Sequence, residues 1–135
     1  MYRELVNEFH QAVQDKTGVQ TLGHEFVAGD SVASFRAGLI GEECDEVIDS
    51  LNNDTKAEVL KELCDLLYVV FGTAITFDLP IEEAFQAVHE NNMLKIKNGV
   101  LGPTGKWIKD KNHPKCNLSK LIAVNDGLPT DDFRD

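Results

Sequence analysis

Two acidic pairs are the residues in this sequence whose types and spacing could do chemistry. Glu43 and Glu46 are three residues apart, and Glu62 and Asp65 repeat that spacing. On a helix, a step of three residues keeps two side chains on one face. Each pair interrupts a stripe of apolar residues, where a carboxylate is costly to bury unless it is paired, hydrogen-bonded or bound to a metal. The pattern therefore indicates a cation held by four carboxylates.

The cation we expect is Mg²⁺, because this hard ion binds a few carboxylates and keeps positions free for substrate phosphates. Helix-borne carboxylates that project into a helical bundle are an established way to build such a site. The common alternative for an isolated E-x-x-E is a solvated acidic face, balanced here by Lys56 and Lys61. The segment 63–71 is apolar nearly all round, which predicts a buried environment. We therefore favour the metal site.

The charge of the chain is unevenly distributed. The whole sequence carries a net charge of −10, which argues against a general nucleic-acid binder because such proteins rely on lysine and arginine. Residues 95–120 contain seven lysines and one acidic residue, a net charge of +6. These lysines are Lys95, Lys97, Lys106, Lys109, Lys111, Lys115 and Lys120. An acidic body followed by a basic segment suits a metal–triphosphate complex.

The elements that must position these residues are helices, since no segment shows sustained period-2 alternation. Helices are predicted at 3–14, from Asp30 or Ser31 to about 51, at 56–77, from Pro80 to about 96, and at 118–124. A glycine-containing loop at 17–30 and a turn or small hairpin near 102–105 complete the pattern. We predict an all-α protein with a domain at 1–120 and an acidic tail at 121–135.

Several function classes are disfavoured. No apolar run reaches the roughly 20 residues of a membrane span, and the first residues do not resemble a signal peptide. The three cysteines lack paired spacing, so we expect a cytoplasmic protein without disulfides or zinc. Cys44 and Cys64 read as small buried fillers, and Tyr68 and Phe71 as core residues. The apolar third helix leaves hydrophobic surface that self-association would bury.

The acidic residues form a longer pattern that resembles a known family. Glu42 precedes the first pair to give E-E-x-x-E, and fifteen residues then separate it from E-x-x-D. This resembles the signature of the all-α nucleoside triphosphate pyrophosphohydrolases, the MazG-like group that includes phosphoribosyl-ATP pyrophosphohydrolase and dimeric dUTPases. The likeness continues through residues 62–68, 89–95 and 105–109, and it spans about residues 5–120.

The resemblance implies a four-helix bundle that hydrolyses a nucleoside triphosphate between its α and β phosphates. It implies two or three Mg²⁺ ions, with Mn²⁺ as a substitute, on the four carboxylates. Glu42 would orient or deprotonate the attacking water, although it can equally be a ligand. The implied substrate-binding residues are Asn92, Lys95, Lys106, Lys109 and Trp107. Each has a plainer alternative, since the asparagine can end a helix, a lysine can be a surface charge and the indole can cover apolar surface.

Three functional hypotheses stay open at this point. The first is hydrolysis of a purine deoxynucleoside triphosphate such as dGTP or dATP. The second lies in the same family and is a phosphoribosyl-ATP pyrophosphohydrolase or a dUTPase. The third is a non-catalytic helical oligomer that binds a structural cation or a basic partner. We expect a homodimer or homotetramer with no nucleic-acid or membrane partner, in the cytoplasm, or in a host's cytoplasm if the gene is viral.

Overall fold

The computed structural model describes residues 1–128, and it confirms the all-α prediction. Its described part contains five helices and one two-stranded sheet. The elements are α1 Tyr2–Thr17, α2 Ser31–Asn53, α3 Lys56–Thr76, α4 Ile81–Asn98, β1 Val100–Leu101, β2 Trp107–Ile108 and α5 Ser119–Asn125. The chain divides after Leu79 into two compact units, which are described separately. The predicted domain boundaries at 120 and 121 stay predictions.

The helices α2 and α3 begin at the residues that the sequence predicts, and α1 begins one residue before its predicted start. The Asp30 carboxylate accepts from the backbone N–H of Ala33 at 2.9 Å and caps α2. The Thr55 hydroxyl accepts from Glu58 and caps α3. Such caps satisfy backbone donors that have no partner inside the helix. Only the dipeptide 54–55 separates the two helices, which therefore form a tight hairpin.

The core of the first unit lies where α3 packs against α1 and α2. Its buried apolar residues come from all three helices and from the end of α3, namely Val6, Val47, Ala74, Ile75 and Phe77. The segment between α1 and α2 closes over this end, because the backbone N–H of His24 donates to the Thr76 carbonyl at 2.7 Å. The core therefore occupies the C-terminal half of α3.

The middle of α3 differs from the prediction. Leu67 is 54% exposed and Tyr68 is 40% exposed, although we predicted that this segment is buried and that Tyr68 belongs to the core. Cys64 is also exposed, so it is not the buried filler that the sequence suggested, while Cys44 is half-buried. The reason is that α1 covers this side of α3 only in part. The Tyr68 ring packs edge-on against Phe9 of α1, with ring centroids 5.5 Å apart, and the apolar groove between the two helices stays open.

The second unit begins at Pro80, and its small sheet is attached to α4. The indole N–H of Trp107 donates to the Lys95 carbonyl at 2.6 Å. Asn91 donates to the Pro114 carbonyl at 3.1 Å, and its amide oxygen lies 2.7 Å from Nε2 of His113. The first bond fixes the predicted hairpin against the end of the helix, and the other two attach the segment after the hairpin to the same helix. The two strands pair antiparallel, with Leu101 opposite Trp107.

The predicted acidic tail is described only in its first part. The short helix α5 confirms the predicted element at 118–124, and Asp126 follows it as the C-cap. Asp131 and Asp132, which the tail prediction included, lie outside the described residues. Within residues 1–128, no single helix is long and apolar enough to cross a membrane; α3 and α4 meet that test only when they are joined as a broken pair.

Candidate metal centre

The tight α2–α3 hairpin brings the two acidic pairs together. Glu43, Glu46, Glu62 and Asp65 each offer one carboxylate oxygen, and these four oxygens all lie within 4.8 Å of one another. The helices run antiparallel, because Arg36 near the start of α2 donates to Thr73 near the end of α3. Helix periodicity thus accounts for the pairing within each helix, and the short connection accounts for the pairing between them.

The carboxylates are partly withdrawn from solvent. The Glu62 side chain is only 16% exposed, and Glu43 is half-buried. One oxygen of each, Oε2, is buried without a hydrogen-bond partner in the described part of the chain. A buried carboxylate oxygen without a donor costs free energy that a bound cation would recover. The cluster is therefore incomplete as a purely structural feature.

The charges in the cluster perturb one another. Desolvation raises the pKa of the Glu62 carboxyl, and its hydrogen bond with Glu46 and repulsion from Glu46 and Asp65 raise it further. Two carboxyl groups form such a hydrogen bond only if they share a proton, and a cation can take the proton's place. The Lys61 ammonium opposes the rise; it lies 2.6 Å from Asp65 and 3.7 Å from Glu62.

The donor set fits Mg²⁺ or Mn²⁺. All four candidate ligands are carboxylates, which are hard oxygen donors, and the group contains no thiolate or imidazole. Lys61 supplies one positive charge at the edge of the cluster, which leaves most of the negative charge unbalanced. A divalent cation would remove the repulsion and would bond the two buried oxygens that lack partners.

The remaining predicted site residues are not members of this cluster. Glu42 is exposed on α2 beside Glu43. For four of the five predicted substrate-binding residues, the structure identifies no hydrogen bond or ion pair of the side chain within residues 1–128. These four are Asn92, Lys95, Lys106 and Lys109. The fifth, Trp107, donates its indole N–H to the Lys95 carbonyl, and this bond holds the hairpin on α4. The Trp107 ring is half-buried. All five lie in the second unit, and their roles stay predictions.

A buried arginine is the feature that sequence reasoning missed. Arg36 is only 8% exposed; its Nε donates to the Thr73 hydroxyl at 3.0 Å and its Nη2 donates to the Val69 carbonyl at 2.9 Å. It precedes Glu43 by seven residues, which places both on one face of α2. This spacing could have predicted the burial of Arg36, because it places the arginine on the same inward-facing side of α2 as Glu43.

Comparison with known proteins adds independent information. Residues 6–92 match the phosphoribosyl-ATP pyrophosphohydrolase family. The phosphoribosyl-ATP pyrophosphatase of Bacillus mycoides is 42% identical over 53 residues, which are 39% of this chain and 50% of that protein. The Bacillus cytotoxicus protein of the same name is 41% identical over 51 residues, which are 38% of this chain and 48% of that protein. The chain spans about half the length of the curated relatives it matches.

A helical protein with these carboxylates on adjacent helices falls in the class of all-α nucleotide pyrophosphohydrolases. The matched stretch covers well over half of the sequence and contains both acidic pairs. The chain therefore belongs to the phosphoribosyl-ATP pyrophosphohydrolase family, within the MazG-like group. The resemblance that the acidic signature indicated is confirmed.

Proposed function

We propose that this protein is a metal-dependent nucleotide pyrophosphohydrolase that cleaves the bond between the α and β phosphates. The observation that carries the proposal is the group of four carboxylate oxygens within 4.8 Å, two of whose residues have a buried oxygen without a partner. Family membership supports the reaction class. The products are a nucleoside monophosphate and pyrophosphate.

The residues of the cluster have a simple division of roles in this proposal. Glu43, Glu46, Glu62 and Asp65 would hold Mg²⁺, as two or three ions per site. The metal, when bound, supplies polarisation of the phosphate and acidification of water. Glu42, exposed beside the cluster, accepts a proton from the attacking water.

The predicted substrate-binding residues stabilise charge in the same proposal. Lys95, Lys106 and Lys109 neutralise the charge that develops on the leaving pyrophosphate. Asn92 donates to a phosphate or a sugar hydroxyl. Trp107 contributes the face of its ring, because its N–H already donates within the hairpin. The basic character of residues 95–120 supports these assignments.

Phosphoribosyl-ATP is the first candidate substrate, because the family and the curated relatives are named for that activity. A purine deoxynucleoside triphosphate is the second candidate. One observation supports this second candidate: the family match ends at Asn92, so the whole basic segment, residues 95–120, follows the matched region. The two candidates differ chemically, because phosphoribosyl-ATP carries an additional ribose phosphate on the base.

A second copy of the chain is proposed to cover the exposed apolar side of α3. A groove of about 370 Å³ lies between α1 and α3, lined by residues that include Leu5, Leu67 and Tyr68. Exposed apolar surface of this kind is typical of an oligomer interface. Sedimentation velocity tests this proposal: a homodimer or homotetramer is expected, and a monomer at micromolar concentration contradicts it.

The experiment that tests the activity is a substrate panel. Phosphoribosyl-ATP, the four common dNTPs, dUTP and the NTPs are each incubated with Mg²⁺ or Mn²⁺, and monophosphate, pyrophosphate and orthophosphate are quantified separately. We expect pyrophosphate and monophosphate in equal amounts, with EDTA abolishing both. Release of orthophosphate, or no cleavage of any substrate in the panel, contradicts the proposal.

A further inference from the structure

A cavity with an arginine in its wall lies beside the first turns of α2. It has a volume of about 320 Å³, within the usual range for small-molecule sites. Its wall includes His10, Thr21, His24, Phe35, Arg36 and Thr76. The loop that forms one side is held in place, because the Thr21 hydroxyl donates to the His10 carbonyl at 2.8 Å and His24 is bonded to the end of α3. The cavity therefore has a defined shape.

The wall contains a buried positive charge without a negative partner. Both identified acceptors of Arg36 are neutral oxygens. Within residues 1–128 no carboxylate lies at ion-pair distance from its guanidinium. These two bonds use two of the five N–H groups that a guanidinium carries. A buried charge of this kind normally has a counter-charge or a ligand.

A hydrogen-bond acceptor, Nε2 of His10, lies next to the Arg36 guanidinium. Nδ1 of His10 lies 3.2 Å from the Thr21 carbonyl, which assigns the proton to Nδ1 and leaves the Nε2 lone pair available. Burial lowers the pKa of the His10 ring; the hydrogen bond with the Thr21 carbonyl opposes this shift, and the positive charge of Arg36 adds to it. Nε2 and the Arg36 Nη2 both face Gly72, where an added Cβ would lie 2.8 Å and 2.5 Å from them.

The cavity and the acidic cluster share one face of α2. Seven residues separate Arg36 from Glu43, a rise of about 10 Å along a helix, which is comparable with the span of a nucleoside. A nucleotide whose α-phosphate lies at the carboxylates can therefore extend its base towards the arginine. Phe35, at the cavity wall, offers a ring for stacking.

We propose that this cavity receives the base end of the nucleotide, and that Arg36 determines which nucleotide is accepted by donating to an acceptor oxygen or nitrogen there. The inference rests on the proposed function for its choice of a nucleotide. Two sources offer such an acceptor: the ring edge of an ordinary base, and a phosphate oxygen of the additional ribose phosphate in phosphoribosyl-ATP. Arginine suits both because its planar fork matches either group.

The test measures binding without catalysis. Calorimetric titrations with Mg²⁺ present use dGMP, dAMP, dCMP, dUMP and phosphoribosyl-AMP, which have no bond between α and β phosphates to cleave, with the wild type, Arg36→Met and Arg36→Lys. We expect Arg36→Met to weaken the best ligand by at least about tenfold, the loss typical of a charged hydrogen bond, and Arg36→Lys to weaken it less. A preference for phosphoribosyl-AMP that disappears in Arg36→Met assigns the acceptor to the ribose phosphate; a base preference that disappears assigns it to the ring.

Two further variants separate binding from folding. Thr73→Val removes the partner of Arg36 outside this cavity, so it should lower thermal stability while affinity stays within twofold. Phe35→Ala changes an exposed wall residue and should weaken binding without unfolding the chain. The inference is overturned if Arg36→Met binds like the wild type, or if Thr73→Val loses as much affinity as Arg36→Met.

The outcomes also distinguish this inference from the proposed function. If Arg36→Met cleaves its substrate with an unchanged KM, the inference fails and the pyrophosphohydrolase stands. If no triphosphate is cleaved but monophosphate binding depends on Arg36, the activity fails and the nucleotide cavity stands.

Discussion

The acidic cluster and the Arg36 cavity occupy the same face of α2, two helical turns apart, and they treat charge in opposite ways. In the cluster, four like charges converge and two oxygens lack partners. At Arg36, a single charge is buried but is bonded to two neutral oxygens of α3. The first arrangement opposes folding in the absence of a cation, whereas the second ties two helices together.

This difference indicates which residues of the α2–α3 hairpin contribute to function and which contribute to stability. Removing a charge from the cluster should greatly lower activity and should relieve repulsion at the same time. Removing a partner from Arg36 should weaken the fold, because a buried donor then loses its acceptor. Stability and activity are therefore expected to change in opposite directions in one region and independently in the other.

The largest expected effect is on activity. Glu62→Gln keeps the size of the side chain but removes a charge from the cluster, so kcat should fall by about 10²–10³-fold, as it does when one stabilising group is lost from an active site. Glu58→Gln, one turn earlier on α3 and exposed, is the matched control and should stay within about twofold. Pyrophosphate release measures both. Equal activity of Glu62→Gln and the wild type would remove the cluster from catalysis.

The next effect concerns stability and its dependence on pH. In the folded protein the pKa of Glu62 is raised above its ordinary value of 4.5. Between that ordinary value and the raised pKa, the folded protein therefore binds more protons than the unfolded chain. The free energy of unfolding therefore falls as pH rises through this window. In EDTA, Glu62→Gln should have the higher Tm at pH 8, with a smaller advantage near pH 4.5. Thermal denaturation checks this; an advantage that is the same at both pH values contradicts it.

Saturating Mg²⁺ should reverse the order. The ion stabilises the folded wild type through binding and stabilises Glu62→Gln less. A Tm of the wild type that does not respond to Mg²⁺ or Mn²⁺ would argue that the cluster binds neither ion.

A third effect tests the packing beside Arg36. Gly72→Ala places a methyl group 2.5 Å from Arg36 Nη2 and 2.8 Å from the His10 ring. Such overpacking should lower the free energy of unfolding by about 1–3 kcal/mol. Gly38→Ala is the control, since its Cβ would meet nothing within 4 Å on α2; it should stabilise the helix by roughly 0.5–1 kcal/mol. Urea denaturation compares them, and a neutral Gly72→Ala would show that the two side chains are not closely packed there.

The smallest effect belongs to Lys61. Its ammonium pairs with Asp65 at 2.6 Å but is largely exposed, so solvent and salt screen it. Lys61→Gln should tighten the apparent affinity for Mg²⁺ by less than about threefold, with the change shrinking at high salt. Lys56→Gln serves as the charge-matched control. A weaker Mg²⁺ affinity in Lys61→Gln would mean that the ammonium supports the site instead of competing with the ion.

The sequence predicts the acidic half of this comparison and misses the other. Spacing within Glu43–Glu46 and Glu62–Asp65, with the short connection between helices, is local information, and it places all four carboxylates. The bond from Arg36 to Val69 joins residues 33 apart in sequence, and the cavity depends on the 18–30 loop closing over α3. Neither follows from helical periodicity. The sequence does not predict the exposure of Tyr68, because an apolar helix indicates burial but does not show which part of the protein, or which partner, covers it.

The most direct test of the central claim is hydrolysis of the best substrate in ¹⁸O-labelled water with Mg²⁺, followed by mass spectrometry of both products. If the carboxylate cluster directs water to the α-phosphate, one labelled oxygen appears in the monophosphate and none in the pyrophosphate. Glu62→Gln then forms both products at least about a hundredfold more slowly. Label in pyrophosphate or orthophosphate, or undiminished turnover by Glu62→Gln, would contradict the account.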